Sequence, residues 1–233
     1  MDNIADLESP LIETPQYFAN VVRSVADAIG ARDMCVVGGA VRDCVLGKMS
    51  GHVNNPKDFD VILPAPLVNP ESNPNIIYMR KNSLGGMKLN VENFGTVDVF
   101  QYYTKTPENI IANFFDFNCN SIFYRMRDNK IISSVFFQEF LESRTIRQQH
   151  IIYSSDGILG QYGAPQTVAR ALKFQIQFMK DYDIKTNLGY DILYLIYNMK
   201  AQDEDNMKHY MASHVADKNL QKLIWQNYQR IRK

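Results

Sequence analysis

The sequence has 233 residues, 45% hydrophobic and 21% charged, which is enough apolar material for one large domain or two small ones and too much for a disordered chain. Its 25 basic and 25 acidic residues cancel, so the charge balance implies no broad nonspecific grip on nucleic acid and leaves any RNA contact to a local patch. No apolar run approaches the ~20 residues of a membrane span. The N-terminus lacks the basic start and apolar core of a signal peptide, and Cys35, Cys44 and Cys119 are odd in number and widely spaced, so a cytosolic protein with reduced thiols is expected.

Thr14-Pro15 reads as a helix start, with Thr as N-cap, and Phe18, Val21, Val22, Val25, Ala28 and Ile29 follow at helical spacing until Gly30 stops them. Residues 34–37 form a short apolar strand, Gly38-Gly39 supplies a sharp turn, and residues 40–46 can form a helix. The unpaired N–H groups at that helix start, with Arg42 in the first turn, offer a cradle for phosphate oxygens. Residues 58–63 alternate as a strand, so Asp58 and Asp60 project from one face, where a hard divalent cation such as Mg²⁺ relieves their repulsion.

Residues 64–74, rich in proline and asparagine, read as an exposed connection. Residues 76–80 and 87–91 look like two strands joined around Gly85-Gly86, and residues 96–100 like a third, with Asp98 between Val97 and Val99. Asp98 is either a third ligand beside Asp58 and Asp60 or an outward-facing acid on a half-exposed strand. Thr106-Pro107 starts another helix, whose apolar side is Ile110, Ile111, Phe114 and Phe115. After the turn at residues 127–130, residues 131–137 suit a strand or the start of a helix equally well.

From Gln166 the pattern is helical to the end. Val168, Leu172, Ile176 and Met179 form a buried stripe, while Arg170, Lys173 and Gln177 share another face. Helices are expected at 188–200, 204–213 and 218–231, with Trp225 and Tyr228 in the packing. Lys218, Lys222, Arg230, Arg232 and Lys233 form either an RNA-facing patch or a solvated helix face.

Gly38-Gly39-Ala40-Val41-Arg42-Asp43 followed by Asp58-Phe59-Asp60-Val61 resembles the head domain of the tRNA nucleotidyltransferase and bacterial poly(A) polymerase family, the class II branch of the polymerase-beta superfamily. Asp116, Phe117 and Asn120 resemble that family's Arg-Arg-Asp-Phe-Thr-x-Asn-Ala segment, although Phe114 and Phe115 stand for the arginines and Asn118 for the threonine. Arg144-Thr145-Ile146-Arg147 resembles the family's passage into the neck, its two arginines being candidates for phosphate contact. Thr167, Arg170, Lys173 and Phe174 occupy the places of the neck's Arg-x-x-Arg-x-x-Arg-Phe. The family's base-reading Glu-Asp-x-x-Arg falls on Gly163, Ala164 and Thr167.

The resemblance implies an α+β fold, with a nucleotidyltransferase head over residues 1–145 and an all-helical neck over 146–233. It implies two Mg²⁺ ions on Asp58, Asp60 and Asp98, and an NTP held by Gly38, Gly39, Arg42, Asp116, Asn120, Arg170 and Lys173. The implied activity adds NMP to an RNA 3′ end, the acceptor being tRNA or tRNA-like. Two alternatives remain open: a non-catalytic nucleotide- or RNA-binding module, and transfer to a protein or small molecule.

Overall fold

Alternating apolar strands and one strongly amphipathic helix organise the first half of the chain. The structure is a computed structural model that describes residues 12–53, 56, 58–81, 86–101, 115–149 and 163–233. Seven helices and nine strands make it an α+β protein among these residues. Two compact units result, one comprising Met1–Phe115 with Cys119–Gln138, the other Asp116–Asn118 with Glu139–Lys233.

In the first unit, α1 (Gln16–Ile29) ends at Gly30, whose left-handed φ of 74° lets its N–H close the last turn on Ala26 and Asp27 carbonyls. Thr14 does not cap this helix as expected: Pro15 holds the N-cap position, and the Thr14 hydroxyl instead donates to the Asn129 carbonyl at 3.0 Å. Strands β1 (Cys35–Val37), β2 (Asp58–Leu63), β3 (Ile76–Lys81), β4 (Met87–Val91), β5 (Gly95–Gln101), β6 (Ile122–Arg125) and β7 (Lys130–Ser133) form one sheet in the order β3-β4-β5-β2-β1-β6-β7. Only β2 and β5 pair in parallel; the other neighbours are antiparallel.

Val36, Val61, Leu89, Val97, Val99 and Tyr124 are fully buried on one face of the sheet. Phe18 of α1 meets Tyr124 edge-on at 5.5 Å, so α1 covers that face. Helix α2 (Gly39–Ser50) runs a turn beyond the expected end, because Gly51, not the sequence after Leu46, supplies the left-handed stop. The ambiguity at 131–137 resolves as both elements in succession: β7 ends at Ser133, and α3 (Val135–Ser143) begins where the Ser134 hydroxyl accepts the Phe137 N–H at 3.3 Å. The helix expected from Thr106-Pro107 lies outside the described residues.

In the second unit, β8 (Thr145–Ile146) pairs in parallel with β9 (Asn187–Leu188) beside α4 (Ala164–Tyr182). The expected stripe on α4 holds only in its first half. Val168 and Leu172 are buried, but Met179 is 42% exposed, because Phe174, Phe178 and Tyr182 take the core at i, i+4, i+8 spacing. Phe174 stacks on Phe178 at 5.8 Å, and Phe178 packs against Phe140 at 5.6 Å. Helices α5 (Tyr190–Asn198), α6 (Ala201–His214) and α7 (Lys218–Arg232) complete the unit. Trp225 stacks on buried Tyr228, as expected for packing, and Arg232 ties α7 inward through Glu204, the Tyr228 hydroxyl and the Met199 carbonyl. No described helix is long and apolar enough to cross a membrane.

Candidate active site

The face of the sheet opposite α1 carries the acids. Parallel pairing places Asp60 opposite Asp98 and Asp58 opposite Thr96, so the three carboxylates share one face by alternation and register. Asp58 is exposed and Asp60 half-buried at the open end of β2. Asp98 is held by a residue that sequence reading passed over: its register partner on β4 is Lys88, whose ammonium donates to Asp98 Oδ2 at 3.1 Å. Among the described residues no three His, Cys, Asp or Glu side chains form a group that could hold a metal.

The donor chemistry nevertheless fits Mg²⁺. It takes hard oxygens from one or two carboxylates and fills its remaining positions with water and phosphate, and Asp58 and Asp60 supply such a pair on one strand face. Asp98 would join them on release from Lys88.

Beside this face, β1 ends at Val37, the register partner of Asp60, and the chain turns at Gly38. Gly38 has φ 67° and ψ −125°, a conformation open essentially to glycine alone. A Cβ here would lie 2.9 Å from Phe115 Cε1 and 3.8 Å from Asp60 Oδ2. The glycine turn therefore touches both the acid and the ring that stands where the resembling family has an arginine. An apolar cluster of Val37, Ile62 and Phe123, with Phe115 and Phe100 against it, borders the acids.

Arg42, expected at the phosphates, is 6% exposed and turned inward. Its Nε donates to Asp43 Oδ1 at 2.7 Å and its Nη1 to Asn120 Oδ1 at 2.6 Å. The structure thus brings together two expected nucleotide contacts, Arg42 and Asn120, as partners of each other. Gly39 lies against the same guanidinium, its Cβ direction 3.7 Å from Arg42 Nη2. Cys44, two residues further along α2, is buried, and burial pushes its thiol up to about 11, which disfavours the thiolate.

The second unit holds the other expected residues. Asp116 pairs with Arg170, whose guanidinium also lies over the Phe117 ring, its Cζ 5.5 Å from the centroid. Burial pushes the Asp116 carboxyl above its ordinary range, and the Arg170 charge opposes that rise without cancelling it. Lys173 sits over the Phe174 ring at 5.8 Å. Asn118, which stands in the place of the resembling segment's threonine, clamps the entry to β8. Its Nδ2 donates to the Thr145 carbonyl at 2.9 Å, and its Oδ1 accepts the Arg147 N–H at 3.0 Å. Arg147 also donates to Glu139 at 2.6 Å, and Arg144 carries a positive φ of 53°.

No protein-family model matches the chain, and no curated protein matches it in sequence. Solved structures do match in fold. A tRNA-processing enzyme in an apo form aligns with TM-score 0.61 at 16% identity, over 95% of this chain and 58% of its own. The Thermotoga maritima CCA-adding enzyme complexed with tRNA aligns with TM-score 0.58 at 15% identity, over 94% of this chain and 52% of its own. A CCA-adding enzyme in complex with CTP aligns with TM-score 0.57 at 15% identity, with the same coverages. At these identities the likeness is one of fold, and the chain spans little more than half the length of these enzymes.

Proposed function

We propose that the chain is a metal-dependent, template-independent nucleotidyltransferase that joins NMP from an NTP to the 3′ end of an RNA, with a tRNA-like acceptor. The observation that carries this reading is the alignment of Asp60 with Asp98 on parallel neighbours, with Asp58 on the same face and the Gly38 turn against Asp60. The fold shared with CCA-adding enzymes, one solved with tRNA and another with CTP, supports it.

In the reaction the acceptor's 3′ oxygen bonds to the α-phosphorus, the bond from that phosphorus to the β-bridging oxygen breaks, and pyrophosphate leaves. The hydroxyl proton passes to solvent. Asp58, Asp60 and Asp98 would hold two Mg²⁺ ions, which when bound supply Lewis acidity to the attacking hydroxyl and neutralise charge on the leaving pyrophosphate. The Gly38-Gly39 turn admits phosphate oxygens to the N–H groups opening α2. Arg42, fastened to Asp43 and Asn120, holds that turn and helix in place. In the second unit the Asp116–Arg170 pair and Lys173 supply charged groups of the kind that bind a sugar hydroxyl and phosphates.

A second reading, a non-catalytic nucleotide-binding module, is favoured by one feature: Phe115 packs on Gly38 where an arginine would meet phosphate. One experiment separates the two. Incubated with Mg²⁺ and each labelled NTP, the protein should extend trimmed tRNA, and Asp58→Ala or Asp60→Ala should abolish extension while thermal melts show an intact fold. NTP binding without incorporation into RNA would select the module, and near-wild-type turnover in either variant would remove these acids from the mechanism.

A further inference from the structure

Resting on that reading, we propose that strands β3 and β4 carry the seat for the acceptor's single-stranded RNA end, with Tyr78 stacking on a base and Arg80 and Lys88 holding backbone phosphates. Register places these side chains. Across β3 and β4, Tyr78 is opposite Asn90 and Arg80 opposite Lys88. Lys88 is in turn opposite Asp98, and Asp98 opposite Asp60. One row, Arg80-Lys88-Asp98-Asp60, therefore crosses four adjacent strands on the acidic face, and a second row, Tyr78-Asn90-Thr96-Asp58, runs beside it. Burial agrees, since Leu89 and Val91, between and beyond these positions on β4, are buried on the opposite face, while Tyr78 is 58% exposed.

The charges argue for a polyanion. At the ~4.8 Å spacing of strands, Arg80 lies roughly 10 Å from Asp98. A nucleic-acid end approaching three carboxylates is repelled unless cations line its path, and the chain's net charge of zero leaves that task to a local patch. Arg80 is exposed, with no ion pair among the described residues, and β3 is one of the sheet's two edge strands. An exposed aromatic beside two cations is the pairing that binds single strands with little sequence preference, the ring taking a base and the cations the backbone.

Fluorescence anisotropy of a short labelled RNA oligonucleotide with the full chain, without NTP, tests the seat. Arg80→Glu should weaken binding roughly tenfold and flatten the salt dependence, each phosphate contact contributing about 0.7 to its logarithmic slope. Tyr78→Ala should weaken binding at least about fivefold, and Tyr78→Phe should restore it. Titration with a labelled NTP should be unchanged in all three variants. Unaltered RNA affinity in Arg80→Glu and Tyr78→Ala overturns the proposal, as does equal binding of an acidic peptide. The two readings fail separately. If the wild type transfers no nucleotide yet these variants lose RNA, the chemistry falls and the seat stands; if it extends RNA with an acceptor KM that neither variant changes, the seat falls and the chemistry stands.

Discussion

Replacing Gly38 with alanine tests the geometry of the site most directly, because two independent penalties meet there. At φ 67° and ψ −125° a non-glycine residue sits in a sparsely populated region, at a cost of about 1–3 kcal/mol. The new methyl would also stand 2.9 Å from Phe115 Cε1, well inside an ordinary carbon contact, and overpacking of this kind adds about 1–2 kcal/mol. Gly38→Ala should therefore destabilise the protein by roughly 2–5 kcal/mol in urea titrations. Faster amide exchange should appear at the Gly38 N–H, which donates to Ile122, and at the Arg42 N–H, which donates to Gly38. In a Phe115→Leu background the crowding disappears and the backbone strain stays, so the double-mutant cycle should show a coupling of about 1–2 kcal/mol. A cost below about 0.5 kcal/mol, the level of an ordinary surface change, or a coupling near zero, would refute the argument.

Arg42→Ala leaves the buried Asn120 oxygen and the Asp43 carboxylate without their guanidinium and should cost about 3–5 kcal/mol in the same titrations, with Arg42→Lys recovering only part of it. The Asp116 carboxyl is held above its ordinary 3.8, so the folded state binds that proton more tightly than the unfolded chain; stability should fall as pH rises through the window above 3.8, and Asp116→Asn should flatten that segment of the urea-midpoint profile. Gly163 and Ala164 carry no side-chain hydrogen-bonding group and Thr167 is buried, so sequencing of 3′ ends made on a trimmed tRNA with all four NTPs should not show an ordered C-C-A product.

The α+β fold and the acidic strand were legible because they rest on local chemistry. Alternation alone puts Asp58 and Asp60 on one face, and Gly30 and Gly38 sit where a positive φ is required. Features that depend on which strands meet were not legible. Nothing in residues 87–91 reveals that Lys88 registers with Asp98, since that pairing follows from the β4-β5 hairpin register. Nor does the sequence show that the 118–120 turn places Asn120 beside Arg42, a contact 78 residues away along the chain. The α4 stripe misled in its second half because three aromatics at i, i+4, i+8 outweigh Ile176 and Met179 in the volume they bury.

The acids lie on a border rather than in open water. On β2 the face changes from Asp58 and Asp60 to Ile62, and on β5 from Thr96 and Asp98 to Phe100, at the same register step. Val37, the β1 partner of Asp60, already belongs to the apolar cluster. A charge at such an edge is screened less than one surrounded by solvent. At 4 Å a unit-charge pair is worth about 1 kcal/mol in water and about 4 kcal/mol at the effective dielectric near a protein surface. The same border that sharpens repulsion among Asp58, Asp60 and Asp98 would strengthen their hold on a cation, and Lys88 meets part of that demand at Asp98.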